Sequence, residues 1–245
     1  ICFNKVTWKQ LGVQFFSTVV RTSCVMPKII PIKLGTVQNG FCVAQSAADA
    51  LKAGGVVAVP TDTIYGIATL AQRSESVEKL YAIKKRNYEK PIAICLHEIS
   101  EIHRWAEARV PKLLLQRLFP GAVTAVFQRS KDLNPDLNPN TSLVGIRIPN
   151  CHFIRQVARY CGEPLALTSA NVSSMSSTLS IHEFQELWPL LDVVFDGGEL
   201  GSCDAERTGS TVVDLSIPGC YRIIRAGCAC METKKILEEF HLEEL

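Results

Sequence analysis

At 245 residues and 47% hydrophobic, the chain can bury a substantial core, and its formal charge of only +2 argues against a wholly basic nucleic-acid-binding surface. Lys9 and Arg21 interrupt the apolar residues near the start, which argues against a membrane span. Ten cysteines lack repeated Cys-x-x-Cys spacing and five histidines lack any His-x-x-x-His pattern, so the composition reads as reduced thiols in a cytosolic or mitochondrial protein rather than as a zinc site.

In chain order, residues 1–48 carry Lys5, Lys9, Arg21, Lys28 and Lys33 but no Asp or Glu. That acid-poor start resembles a mitochondrial transit segment, and residues 1–40 are expected to be a leader, with Met26 a candidate internal start. One domain is expected over 41–230, closed by a C-terminal helix over 231–245. Hydrophobic periodicity and breaker residues predict a helix over 44–53 stopped by Gly54-Gly55, a strand over 56–60, a helix over 75–83 and a strand over 92–96. A helix over 111–119, a strand over 122–127, an Asn/Pro-rich loop over 134–141 and a strand over 143–148 follow. The pattern then gives a helix over 153–160, a strand over 165–168, a helix over 181–188, strands over 192–195, 211–215 and 221–225, and a helix over 233–240. Alternation of this kind predicts an α/β fold, and the late succession of strands argues against a purely parallel sheet.

Three polar stretches sit at the ends of these elements: Pro60-Thr61-Asp62-Thr63-Ile64-Tyr65-Gly66, Lys84-Lys85-Arg86 with Lys90-Pro91, and Thr168-Ser169-Ala170-Asn171. Thr61 and Thr63 are spaced to turn both hydroxyls to one side and Asp62 to the other; an ordinary Pro/Thr/Asp turn has the same composition. Lys84 and Arg86 point the same way only if the chain has left the helix, with Asn87 as the stop. Together they would clamp a phosphate, and as a solvated helix terminus they would complement the helix dipole. Ser169 and Asn171 suit either a substrate contact or a loop closure. Hydroxyls, cations and an amide without an obvious covalent nucleophile fit a nucleotide phosphate beside a small polar substrate.

The order of the blocks Gly55–Gly66, Leu80–Arg86, Pro120-Gly-Ala-Val-Thr124, Val144-Gly-Ile-Arg147-Ile-Pro149, Leu167–Asn171, Gly209-Ser210-Thr211-Val-Val-Asp214 and Ile224-Arg225 resembles the YrdC-like family of threonylcarbamoyl-AMP synthases. The resemblance implies a twisted mixed sheet with surrounding helices and a central substrate cleft. It implies a reaction of L-threonine, bicarbonate or CO2, and ATP carrying Mg2+, giving threonylcarbamoyl-adenylate and pyrophosphate, with the product passed to a tRNA threonylcarbamoyl transferase. It assigns Thr63, Ser210 and Thr61 to threonine; Arg86, Lys90, Thr124, Ser169, Ser177 and Arg225 to ATP; and Lys84, Arg86, Ser169 and Asn171 to the catalytic set. Two departures stand out: Asn87 replaces a Pro common in the family, and Cys95 replaces a substrate-contacting His, so Cys95 is expected to shape the threonine pocket or to be a buried core thiol. Arg147 suits either a carboxylate contact or a brace for the sheet. The alternatives are a double-stranded RNA or tRNA-binding module, in which the same cations contact a phosphate backbone, and a carbamoyltransferase-type domain.

Overall fold

The computed structural model describes residues 26–33, 40–85, 90–171, 175–201 and 207–245. Most of the expected leader therefore lies outside the described residues, as do Arg86, Asn87 and the first two residues of the Ser-rich loop at 173–180. Among the described residues, no helix is long and apolar enough to cross a membrane.

The strands are β1 (Lys28–Pro31), β2 (Val57–Val59), β3 (Gly66–Leu70), β4 (Ala93–Cys95), β5 (Ala106–Glu107), β6 (Val123–Arg129), β7 (Leu143–Arg147), β8 (Leu165–Ser169), β9 (Val193–Asp196), β10 (Thr211–Asp214), β11 (Cys220–Arg225) and β12 (Glu243–Glu244). They form one mixed sheet in the order β1-β9-β2-β3-β8-β4-β7-β6-β10-β11-β12, with β5 pairing off the path to β6. The helices are α1 (Gly40–Lys52), α2 (Ser74–Ile83), α3 (Ile102–Trp105), α4 (Lys112–Leu118), α5 (His152–Cys161) and α6 (Cys230–Glu239).

Four strands were not expected: β1, β3 and the two-residue β5 and β12. β3 is buried at every position and opens on Gly66, so it offers no alternation of polar and apolar residues to betray it. β1 falls in the stretch assigned to the leader, yet it pairs in parallel with β9, so the sheet reaches back to Lys28. The segment Ile181–Leu190 winds as 3-10 turns kinked at Phe184 instead of a continuous helix, with Pro189 inside it unable to donate a backbone hydrogen bond.

Strand alternation divides the core in two. Ala58, Ile67, Ile94, Ala125, Phe127, Ile146 and Val213 face one side, where they pack with residues of α2, α4 and α6 such as Leu80, Leu115 and Leu237. Val57, Val59, Ala68, Leu70, Cys95, Leu165 and Leu167 face the other, beneath Ala47 and Leu51 of α1 and Ile154 and Val157 of α5. Burying each large aliphatic side chain contributes about 1.5–3 kcal/mol. The two helices cover only part of this second face, and the uncovered remainder forms the site.

Candidate active site

The register carries the second face across the sheet: Gly66 pairs with Ser169, Ala93 with Leu167, Cys95 with Arg147, Arg147 with Thr124, and Thr124 with Val212. Beyond the reach of α1 and α5, these positions other than Cys95 line a cavity of about 210 Å3 whose walls include Thr61, Ile92, Thr124, Arg147, Ser169, Ser210 and Arg225. That volume is several times a water molecule's share of the liquid, roughly 30 Å3, so the cavity is sized for more than ordered solvent. Its floor is made of residues with little or no side chain: Gly66, Ala93 and Gly145. A Cβ on Gly145 would come within 3.1 Å of Thr124 Cγ2 and 3.5 Å of Ala93 Cβ, so only glycine leaves this part of the floor open.

Arg147 organises one wall. Its Nη2 donates to Asp62 Oδ1 at 2.6 Å and to Thr63 Oγ1 at 2.6 Å, while the backbone N–H of Asn150 donates to Asp62 Oδ2 at 2.8 Å. The guanidinium and carboxylate are 8% and 10% exposed, so the pair is held away from screening solvent. Among the described residues, Arg147 Nε is buried without a hydrogen-bond partner, and it is the one such atom that belongs to a residue of the cavity wall. Thr61 and Thr63 do turn their hydroxyls together, 3.2 Å apart. Asp62 does not turn away, because the chain bends at 62–64 and brings its carboxylate to the same guanidinium. Thr61 spends its hydroxyl on that bend, donating to Ile64 O at 2.7 Å and accepting from the N–H groups of Thr63 and Ile64.

On the neighbouring strands, Thr124 Oγ1 and Ser210 Oγ are 2.9 Å apart, and Arg225 Nη2 donates to Ser210 O at 2.8 Å and Ser210 Oγ at 3.2 Å. Gly227 permits this arrangement, since a Cβ there would stand 2.3 Å from the Ser210 carbonyl carbon. Burial first, and then the like charge of Arg147, lower the Arg225 guanidinium below its ordinary value, partly offset by Cys228. Two cations that disfavour each other within one cavity make it a natural place for an anion.

Lys84 is buried, and α2 ends at Ile83, just before it. The helix is broken by Lys85 in the left-handed region at φ 45°, two residues earlier than the expected stop at Asn87. Lys84 Nζ donates to Ser169 O at 2.6 Å and to Asn171 Oδ1 at 3.0 Å, and also to Asn171 O. Ser169 Oγ in turn donates to Asn171 Oδ1. These three predicted residues are thus brought together, with Lys84 bracing the exit of β8.

Lys90 is exposed, and Ser177 offers its carbonyl to Arg207 Nη1 at 2.8 Å; neither belongs to the cavity wall. Cys95 requires a correction. It shares the cavity's face of β4, but it is fully buried on the α1/α5 side of the divide, and Ala93, two residues earlier, takes the place on the floor. Burial pushes the Cys95 thiol well above its usual range, so it is no general base. The floor residues Gly66, Ala93 and Gly145 were not anticipated individually, although Gly145 stands two positions before Arg147 on one strand and so had to share its face.

The order of the motifs and the geometry of the site agree with the comparisons to known proteins. The sequence profile of the Sua5/YciO/YrdC family, described as telomere recombination, matches residues 49–227, and the chain belongs to that family. Threonylcarbamoyl-AMP synthase of Bos taurus is 51% identical over 208 residues, covering 84% of this chain and 75% of that protein. The Homo sapiens protein of the same name is 51% identical over 203 residues, covering 82% and 73%. The crystal structure of Pyrococcus abyssi Sua5 complexed with L-threonine shares the fold, with a TM-score of 0.76 at 24% identity; it matches 89% of this chain, which spans 62% of that longer one.

Proposed function

We infer that the chain is a threonylcarbamoyl-AMP synthase, a nucleotidyl-transferring enzyme that joins L-threonine, bicarbonate or CO2, and ATP. The observation that carries this reading is the pair of guanidiniums, Arg147 and Arg225, in one cavity that the hydroxyls of Thr61, Thr124, Ser169 and Ser210 also line, with Gly66, Ala93 and Gly145 among its small residues. Such a site receives two anionic partners side by side, as an amino-acid carboxylate and a nucleotide phosphate require. Identity above one half to animal enzymes of that name, over most of both chains, supports the same reading.

In this reaction the threonine amine adds to the carbon of CO2, losing a proton to form a carbamate. A carbamate oxygen then attacks the α-phosphorus of ATP, the bond to the β-phosphate oxygen breaks, and pyrophosphate leaves. Arg147, steadied by Asp62, receives the threonine carboxylate, with the Thr63 and Ser210 hydroxyls beside it. Arg225, Thr124 and Ser169 face the nucleotide, joined by Lys90, Arg86 and Ser177 from the flanking segments. Lys84 and Asn171 hold the β8 exit in place. Positioning and charge stabilisation supply the acceleration, without a covalent enzyme intermediate. Mg2+ enters this reading as part of the ATP substrate. The activated threonylcarbamoyl group would pass to a separate transferase acting on tRNA.

Pyrophosphate release measured with threonine and bicarbonate each omitted in turn tests this reading. Release that needs both supports it. Release driven by carbamoyl phosphate, or tight RNA binding without release, would replace it with one of the alternatives.

A further inference from the structure

The cavity wall at Ile92 is held from behind by a side chain outside the substrate assignments. Asn138, in the loop between β6 and β7, is 1% exposed. Its backbone adopts φ 56°, a left-handed conformation that Asn tolerates better than most residues. Its amide is engaged on both atoms: Oδ1 accepts from Ile92 N at 2.7 Å and from the Tyr81 hydroxyl at 2.9 Å, and Nδ2 donates to Ile92 O at 2.9 Å. Pairing with both the N–H and the C=O of one residue imitates a neighbouring strand at the point where the chain enters β4. Arg129 secures the loop in turn, with Nη1 donating to Leu137 O at 2.8 Å and Nη2 to Asn134 O at 2.6 Å.

Tyr81 lies in the last turn of α2, and Ile92 lies just before β4. A single amide therefore ties together the two ends of the excursion that leaves α2 through Lys84 and returns through Lys90 and Pro91. We propose that Asn138 is a positioning residue for nucleotide use, which fixes the spacing between α2 and β4 and so places Lys90 and the Pro91–Ile92 wall. The inference rests on the assignment of Lys90 to ATP. The threonine side of the site stands on other elements, at Arg147, Thr63 and Ser210, so the effect falls on one substrate.

The test uses calorimetric titration of the whole chain with Mg-ATP and, separately, with L-threonine, alongside steady-state pyrophosphate release. Asn138→Gly removes the amide while suiting the positive φ, and Tyr81→Phe removes one hydroxyl while keeping the ring. Loss of modest hydrogen bonds predicts a rise of roughly five- to tenfold in the ATP Kd and KM for Asn138→Gly, and about twofold for Tyr81→Phe. The threonine KM is expected to stay within about twofold of wild type, and kcat to fall less than the ATP KM rises. Equal rises for both substrates, or an unchanged ATP Kd in folded Asn138→Gly, would overturn the proposal. If Asn138→Gly fails to fold, Tyr81→Phe decides: a rise confined to ATP supports the proposal, and an unchanged ATP Kd overturns it. A wild-type chain without threonine-dependent release would instead overturn the functional reading, while the ATP titrations would still decide the role of Asn138.

Discussion

One face of the sheet has two fates. Where α1 and α5 lie across it, Val57, Leu70, Cys95 and Leu165 become core; where no helix covers it, Gly66, Ala93, Gly145, Thr124 and Arg147 become the wall and floor of a cavity. The divide crosses β4 between Ala93 and Cys95, residues that point the same way. Strand alternation alone assigns a face, and tertiary cover decides whether that face meets solvent, ligand or helix.

Substitutions on either side of the divide should separate stability from activity. The largest effect is expected from Arg147→Ala, which strands the Asp62 carboxylate and empties one wall of its charge. Breaking a buried pair costs about 3–5 kcal/mol, so denaturant unfolding should show a large loss together with abolished turnover. Arg147→Lys, which keeps the charge but not the fork, should recover part of the stability and little of the activity.

Lys84→Met tests the brace behind the cavity. It leaves the Ser169 and Asn171 carbonyls without their buried donor, a loss of roughly 1–3 kcal/mol. Turnover should fall more than tenfold with a lower melting temperature; normal turnover would remove Lys84 from the site altogether.

A direct contrast comes from Gly145→Val on the open half and Leu165→Ala on the covered half. The first should depress kcat/KM at least tenfold by filling the floor, with a modest overpacking cost of about 1–3 kcal/mol. The second should cost about 2–5 kcal/mol of stability through a cavity while leaving the threonine and ATP KM values near wild type. Reversal of that pattern would mean that the divide has been drawn in the wrong place.

The smallest effect is expected at the thiols. Cys95 is sealed and its thiol is pushed far above its usual range, and burial raises Cys161 to about 12. A raised pKa leaves little thiolate at pH 7–9, so alkylation of the native protein should mark exposed Cys42 before Cys95 or Cys161. Mass-spectrometric mapping should show the same absence of Cys95 labelling with and without threonine. Threonine-sensitive labelling of Cys95 would return it to the substrate pocket.

Much of the frame was legible from sequence because helix spacing, glycine stops and apolar runs are local signals. β3 and β1 were not, since one is uniformly buried and the other is recognisable only through its pairing with β9. The polar members of the site, Thr63, Thr124, Arg147, Ser169, Ser210 and Arg225, were legible as candidates by residue type and order. Their partners were not: that Asp62 joins Arg147, or that Lys84 turns back to the β8 exit, depends on bends at 62–64 and 84–85 that two-residue spacing cannot reveal. Cys95 was read as a pocket residue from the family's His at that position, and the alternative of a buried core thiol is decided only by the position of α1 and α5.

The most direct test of the account is a crystal structure of the protein with L-threonine bound. The account predicts the amino acid inside the cavity over Gly145, with its carboxylate within about 3 Å of the Arg147 guanidinium. Threonine bound outside the cavity, or held there with its carboxylate turned away from Arg147, would contradict it.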